Sequence, residues 1–145
     1  MKHARITILC ENNVALPLKV VGEHGFACYI ETPQGNYLFD TGQGLGLKNN
    51  AAVLGKGLDN IDAIMLSHGH YDHTGGLPAA LKAAGTVDVY AHPDLFLDRV
   101  WIDGDKKRSV GIPYRRSYLE SLGARFKLDH RMVEVGPGVF LTGEI

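Results

Sequence analysis

Cysteine is scarce in this chain: two residues, Cys10 and Cys28, among 145. They do not form a Cys-x-x-Cys pair, and each lies in an apolar, strand-like segment. A disulfide framework and a thiolate metal knuckle are therefore excluded, and the two read as small buried thiols. Charge of one sign is also missing. Fifteen Lys and Arg stand against sixteen Asp and Glu, a net charge of −1, so nothing global draws the chain to nucleic acid or to an anionic membrane. No apolar run approaches the length of a membrane span. Lys2 and Arg5 precede an apolar run that ends at Glu11 without a cleavage-like site, so a secretory signal is not expected and a reducing cytoplasm is. There is no internal repeat and no low-complexity linker. With 45% apolar and 21% charged residues, residues 1–145 have enough apolar surface for one domain with a real core.

Histidine, by contrast, is concentrated. Ser67-His68-Gly69-His70-Tyr71-Asp72-His73-Thr74-Gly75-Gly76 puts three imidazoles and a carboxylate within six positions. These are the donor types taken by zinc and related divalent metals. The stretch follows the apolar run 61–66, which reads as a buried strand delivering the donors to a loop at its carboxyl end, a common place for sites in layered α/β proteins. If that strand continues, His68 and His70 share one face and can grip one ion. Asp72 and His73 would diverge in extended chain, but in a tight turn they point to a common centre and can serve a second ion. Gly75 and Gly76 permit close backbone approach behind the turn. The alternatives for such a stretch are a solvated polar loop or hydrogen-bonded core histidines. Either suits one histidine better than three beside an aspartate, and metal binding is the favoured reading.

The rest of the chain reads as alternating elements. Strands are expected over 4–10, 26–32 and 37–39, with the 33–36 turn making the last two a hairpin. A helix over 47–54 is closed by Gly55 and Gly57. After the donor loop come a helix over 77–84, a strand over 87–91, and a helix opened by Pro93 and running to about Trp101. Residues 103–108 read as a charged loop. Ser117 to Glu120 fits a capping box, with Gly123 ending that helix. Strands at 126–128, 132–135 and 139–142 finish the chain, the last two joined by Gly136-Pro137-Gly138. Segment 16–21 is ambiguous, since Pro17 argues against a central strand. This order predicts a mixed sheet with helices outside, an α/β or α+β architecture.

The donor stretch resembles the His-x-His-x-Asp-His signature of the metallo-β-lactamase-fold hydrolases. Leu38-Phe39-Asp40-Thr41-Gly42 resembles that family's strand ending in Asp and Gly before its first helix. Glu23-His24-Gly25 and Leu141-Thr142-Gly143-Glu144 resemble one branch, the dihydropterin-linked ribofuranosylaminobenzene phosphate synthases. The resemblance implies an αββα sandwich of two related halves with metals at the seam, of which this chain matches the amino-terminal half. It assigns His68, His70, Asp72 and His73 to one or two divalent ions, zinc first and iron or manganese also suited. It implies a metal-activated water attacking an ester, lactone or phosphoester, with Asp72 also orienting the nucleophile. Asp40 is expected to support the ligands from behind, or to serve as a turn or helix cap.

A later histidine, a bridging aspartate and a last histidine normally complete such a site. Only His92 and His130 follow the motif. His92 is expected to cap the helix at Pro93 or to support the site, with ligation less favoured; His130 reads as a turn residue. The chain ends directly after a strand, which suggests either a fragment of a longer enzyme or a half-length protein that pairs with itself or with a complementing carboxyl-terminal half. An exposed sheet face and a homo-oligomer are expected. The basic clusters Lys106-Lys107-Arg108 and Arg115-Arg116 read first as solvated faces, with a phosphate-bearing small molecule as the alternative. Three functions compete: a metal-dependent hydrolase, a pterin-linked transferase, and a catalytically incomplete half that binds metal or a partner.

Overall fold

A computed structural model describes residues 3–14 and 17–144. Part of the ambiguous 16–21 segment lies outside the described residues; Pro17 to Val21 follow without a strand or helix. A six-stranded mixed sheet forms the centre. Strands β1 (Arg5–Cys10), β2 (Ala27–Thr32) and β3 (Gly35–Phe39) are antiparallel neighbours. Strands β4 (Ala63–Met65), β5 (Val87–Ala91) and β8 (Ala124–Leu128) continue the sheet in parallel from β3, giving the order β1-β2-β3-β4-β5-β8. Parallel neighbours need crossovers, and helices supply them. These are α1 (Leu47–Val53), α2 (Tyr71–Thr74), α3 (Leu77–Ala84) and α4 (Arg116–Ser121).

The two faces of the sheet are covered differently. On one, Leu38, Ile64 and Val89 meet Leu47 and Ala51 of α1, Leu77, Ala80 and Leu81 of α3, and Leu119 of α4. Buried Asn50 ties α1 to the loops below it: its Nδ2 donates to the Leu9 carbonyl (2.7 Å) and the Val21 carbonyl (2.8 Å), and its Oδ1 accepts from the Val21 N–H (2.8 Å). On the other face, Tyr37, Ala63 and Met65 are covered by Val135, Val139 and Leu141 of the hairpin β9 (Val133–Gly136) and β10 (Val139–Leu141). That hairpin does not reach edge strand β1. Ile6 pairs with Ile30 on the second face and stays 62% exposed, and Ile8 stays 41% exposed.

The carboxyl-terminal half differs from expectation in two elements. The helix predicted from Pro93 to Trp101 stops after one 3-10 turn, Pro93–Phe96. Val100–Asp103 is instead strand β6, paired with β7 (Lys106–Ser109), so the expected charged loop is the second arm of a hairpin. The cause is in the sequence: Val100 and Ile102 are β-branched, and Gly104-Asp105, with Gly104 at φ +56°, is the two-residue hairpin turn between Asp103 and Lys106. The capping box at Ser117 is not formed. Arg115 is the N-cap without a side-chain bond, and Glu120 pairs with Arg116 instead (2.7 Å). The strand expected over 61–66 is shorter in the ladder, Ala63–Met65, though the Asp62 N–H reaches Asn36 and the Leu66 N–H reaches Tyr90 on either side.

Candidate metal centre

The donor loop leaves β4 at its carboxyl end and turns into α2. The strand does not continue to His70, so the condition for a shared strand face is not met; His70 makes one isolated bridge to Gly111 and stands at the N-cap of α2. His68 and His70 nevertheless meet, with His68 Nε2 2.9 Å from His70 Nδ1 and ring centroids 4.5 Å apart. Asp72 and His73 sit on the single turn of α2 rather than in a tight turn, and the His73 ring lies 4.2 Å from that of His68. Asp72 Oδ2 is 3.7 Å from His73 Nε2. Behind the turn, the backbones of Gly75 and Gly76 press on the carbonyls of Gln43 and Thr41, where any β-carbon would collide. That contact seats α2 against the loop after β3.

Asp40, at the end of β3, is 1% exposed. Its Oδ1 accepts from the Ser67 N–H (2.8 Å), and its Oδ2 accepts from Ser67 Oγ (2.6 Å) and lies 2.8 Å from His73 Nδ1. A buried carboxylate on Nδ1 keeps the proton there and leaves the Nε2 lone pair of His73 facing His68 and Asp72. The same bond raises the pKa of His73 above its ordinary value, against the effect of burial. His68 moves the opposite way, lowered first by burial and then by the neighbouring His73 and His70. Its ring is held at Nδ1 by Ser67 Oγ (2.9 Å). Ser67 thus links Asp40 to His68, a role not foreseen from the sequence. His24 is a second residue unforeseen in this place: its Nε2 lies 3.3 Å from Asp72 Oδ2.

Among the described residues, no three carboxylate, thiolate or imidazole donors already converge on one point. The donor set still suits a divalent ion. Around a tetrahedral ion with bonds of 2.0–2.1 Å, neighbouring donors are about 3.3 Å apart. The separations of 2.9 Å (His68 to His70) and 3.7 Å (His73 to Asp72) lie on either side of that edge. An open cavity of about 220 Å³ lies beside it, lined by Ser67, His68, His92, Arg99 and Glu144. A larger hollow of about 430 Å³, between Lys48 and Lys82, holds none of the motif's donors.

The remaining candidates fall as follows. His92 caps the turn at Pro93: its Nδ1 accepts from the Asp94 N–H (3.1 Å), and its buried Nε2 lies 3.3 Å from Glu144 Oε1. His130 is an exposed turn residue. Lys106, Lys107 and Arg108 lie on the fully exposed β7 arm, where Arg108 approaches the Tyr71 hydroxyl (3.4 Å). Arg115 and Arg116 open α4.

Sheet order, the Asp-ended β3 and the histidine loop define a class, and the sequence model of the metallo-beta-lactamase superfamily matches residues 21–143. The chain belongs to that superfamily. It is 28% identical, over 99% of its length, to 51% of the 7,8-dihydropterin-6-methyl-4-(beta-D-ribofuranosyl)-aminobenzene-5'-phosphate synthase of Methanocaldococcus jannaschii. It is 32% identical, over 90% of its length, to 52% of an uncharacterized protein of the same organism. Among solved structures, the Rm3 metallo-beta-lactamase superposes with a TM-score of 0.57 at 27% identity, covering 86% of this chain and 46% of that one. A diphosphatase of the PhnP family, at 16% identity, shares the fold (TM-score 0.58; 93% of this chain, 54% of that one). The chain spans about half the length of the curated relatives it matches. No helix among the described residues is long and apolar enough to cross a membrane.

Proposed function

We propose that this chain carries the metal-binding half of a metal-dependent hydrolase acting on an ester, lactone or phosphoester of a small molecule. The observation that carries the reading is the Asp40–His73 bond, 2.8 Å within the core, which presents a fixed imidazole lone pair beside His68, His70 and Asp72. His68 and His70 would hold one ion, and Asp72 and His73 a second. A bound ion supplies Lewis acidity toward water and toward the substrate oxygen. Zinc suits the donor set best; iron and manganese also fit it. Asp40 holds the tautomer and orientation of His73, Ser67 holds the ring of His68, and Asp72 orients the attacking water. The donors missing from the loop would come from a complementing carboxyl-terminal half or a second copy of the chain, consistent with the half-length match to its relatives. Two free, buried thiols suit a reducing cytoplasm.

The 28% identity across nearly the whole chain to the dihydropterin-linked synthase supports a second reading, in which the same residues would hold an ion whose Lewis acidity would serve a leaving phosphate instead of water. A third, an incomplete half that binds metal or a partner without turnover, follows if no complement is found. Metal content per chain, measured with and without His68→Ala, tests the common premise: bound metal in the parent that falls in the variant. Metal-free parent protein that ignores added zinc would refute the hydrolase and the transferase and leave of the third reading only a partner-binding half. Ester, lactone and phosphodiester assays then separate hydrolase from silent half, and a pterin-plus-phosphoribose assay tests the transferase.

A further inference from the structure

The tripeptide Glu23-His24-Gly25, just ahead of β2, is anchored more heavily than a surface loop requires. Glu23 is buried, and its Oε2 accepts from the backbone N–H groups of Leu45 (2.8 Å) and Gly46 (3.2 Å). Its own N–H donates to the Glu11 carbonyl (3.1 Å). Gln43 Nε2 donates to the His24 carbonyl (2.7 Å), and the Gly25 N–H donates to Asn12 Oδ1 (3.3 Å). Gly25 sits at φ +126°, and a β-carbon there would occupy the place of the Asp72 carbonyl oxygen, to which the Phe26 N–H donates (3.3 Å). A buried carboxylate and a glycine-only contact thus press this loop onto the first turn of α2.

The side chain delivered by that arrangement is an imidazole. His24 Nε2 is 3.3 Å from Asp72 Oδ2, and the same oxygen is 3.7 Å from His73 Nε2. The second distance is too long for a hydrogen bond, and the first is long for one with a carboxylate, where 2.7–2.9 Å is usual. Both lie near the roughly 3.3 Å edge that two donors share around a tetrahedral ion. The His24 side chain is 65% exposed, so it can turn without disturbing the core.

We propose that His24 is a further ligand of the metal centre, a neutral imidazole that this chain brings to the ion on the Asp72–His73 side. The proposal rests on reading the histidine loop as a metal site and extends it to a residue 48 positions upstream of Asp72. It gives that ion three donors, His24, Asp72 and His73, from one chain.

Cobalt(II) titration of the purified chain tests this. Bound ions per chain, the visible absorption of the cobalt and affinity by chelator competition are read for the parent, His24→Ala, His24→Cys and the exposed control His130→Ala. His24→Ala is expected to weaken cobalt binding at least about tenfold and alter the visible bands, with the control unchanged. His24→Cys should add a sulfur-to-cobalt charge-transfer band in the near ultraviolet, which a purely structural role would not produce. Identical stoichiometry, affinity and spectrum in parent and His24→Ala, with no new band in His24→Cys, would overturn the assignment and leave the metal site standing. Failure of the parent to bind cobalt would overturn both.

Discussion

Replacing Asp40 by Asn changes the chemistry of the centre while leaving its shape. Asn accepts the left-handed backbone at φ +54° about as readily as Asp does, so the turn after β3 should survive. The amide oxygen can still take the Ser67 N–H at the place of Oδ1. An NH2 group then stands where Oδ2 accepted from Ser67 Oγ and faced His73 Nδ1. It must donate, so His73 Nδ1 becomes the acceptor and its proton moves to Nε2. The nitrogen that faced the site with a lone pair now faces it with a hydrogen.

Two magnitudes follow. Loss of hydrogen bonds to a buried charged group costs about 1.5–3 kcal/mol, below the 5–15 kcal/mol typical of a whole domain, so Asp40→Asn should fold. Loss of an orienting carboxylate costs about 10–100-fold in metal affinity. The pH dependence has a fixed sign. The carboxylate raises the pKa of His73 above its ordinary 6.5, so that part of the stability is fully present below about pH 6.5 and is lost as pH rises through the raised value. Urea unfolding in metal-free buffer should therefore show the gap between parent and Asp40→Asn widest in mild acid and narrowing with alkali. Chelator competition should show the weaker zinc binding. Equal zinc affinities, or a gap independent of pH, would refute the tautomer argument.

Gly25→Ala combines an unfavourable φ with a collision at the Asp72 carbonyl and should destabilise the fold by on the order of 3 kcal/mol; an unchanged melting temperature would contradict the close packing of that loop. Burial, and then the charge of Asp40, push the Cys28 thiol up to about 11, and burial with the Glu23 contact pushes Cys10 well above the ordinary thiol range. Both should resist iodoacetamide at pH 7–8 in the native state and react once denatured, so rapid native labelling would count against their burial. Ile6 and Ile8 lie on the uncovered face of edge strand β1. Light scattering should find dimers or larger species that Ile8→Lys reduces, whereas a wholly monomeric parent at concentrations on the order of tens of micromolar would argue against a sticky face.

What could be read from the chain in advance was what is local. Three histidines and an aspartate within one loop announce their chemistry, and Val87–Ala91 or Leu77–Ala84 announce themselves by periodicity and flanking Gly and Pro. The hairpin at β6 and β7 is signalled by Gly104-Asp105, but Pro93 suggests a helix strongly enough to mask it; the helical start is real and ends after one 3-10 turn. Contacts between distant segments were not legible. His24 meets Asp72 across 48 positions, and Asn50 joins α1 to Leu9 and Val21, because the folded sheet brings them together. No local pattern in either residue's neighbourhood records that contact.

Asp40 shows how the sheet and the centre depend on each other. Among the described residues it is the only non-glycine with positive φ, a conformation that costs an L-residue roughly 1–2 kcal/mol. Glycine at that position would remove the cost, so the side chain must supply something glycine cannot. Its backbone N–H still donates to the Met65 carbonyl (2.9 Å), which keeps the residue in register with β4. The left-handed turn then rotates the carboxylate out of the plane of the strand and under Ser67 and His73, on the loop that follows β4. Three hydrogen bonds there outweigh the local strain. An Asp-ended strand beside a histidine-rich loop is thus one device: β3 and β4 must be parallel neighbours for that carboxylate to reach that imidazole, and the positive φ is what aims it.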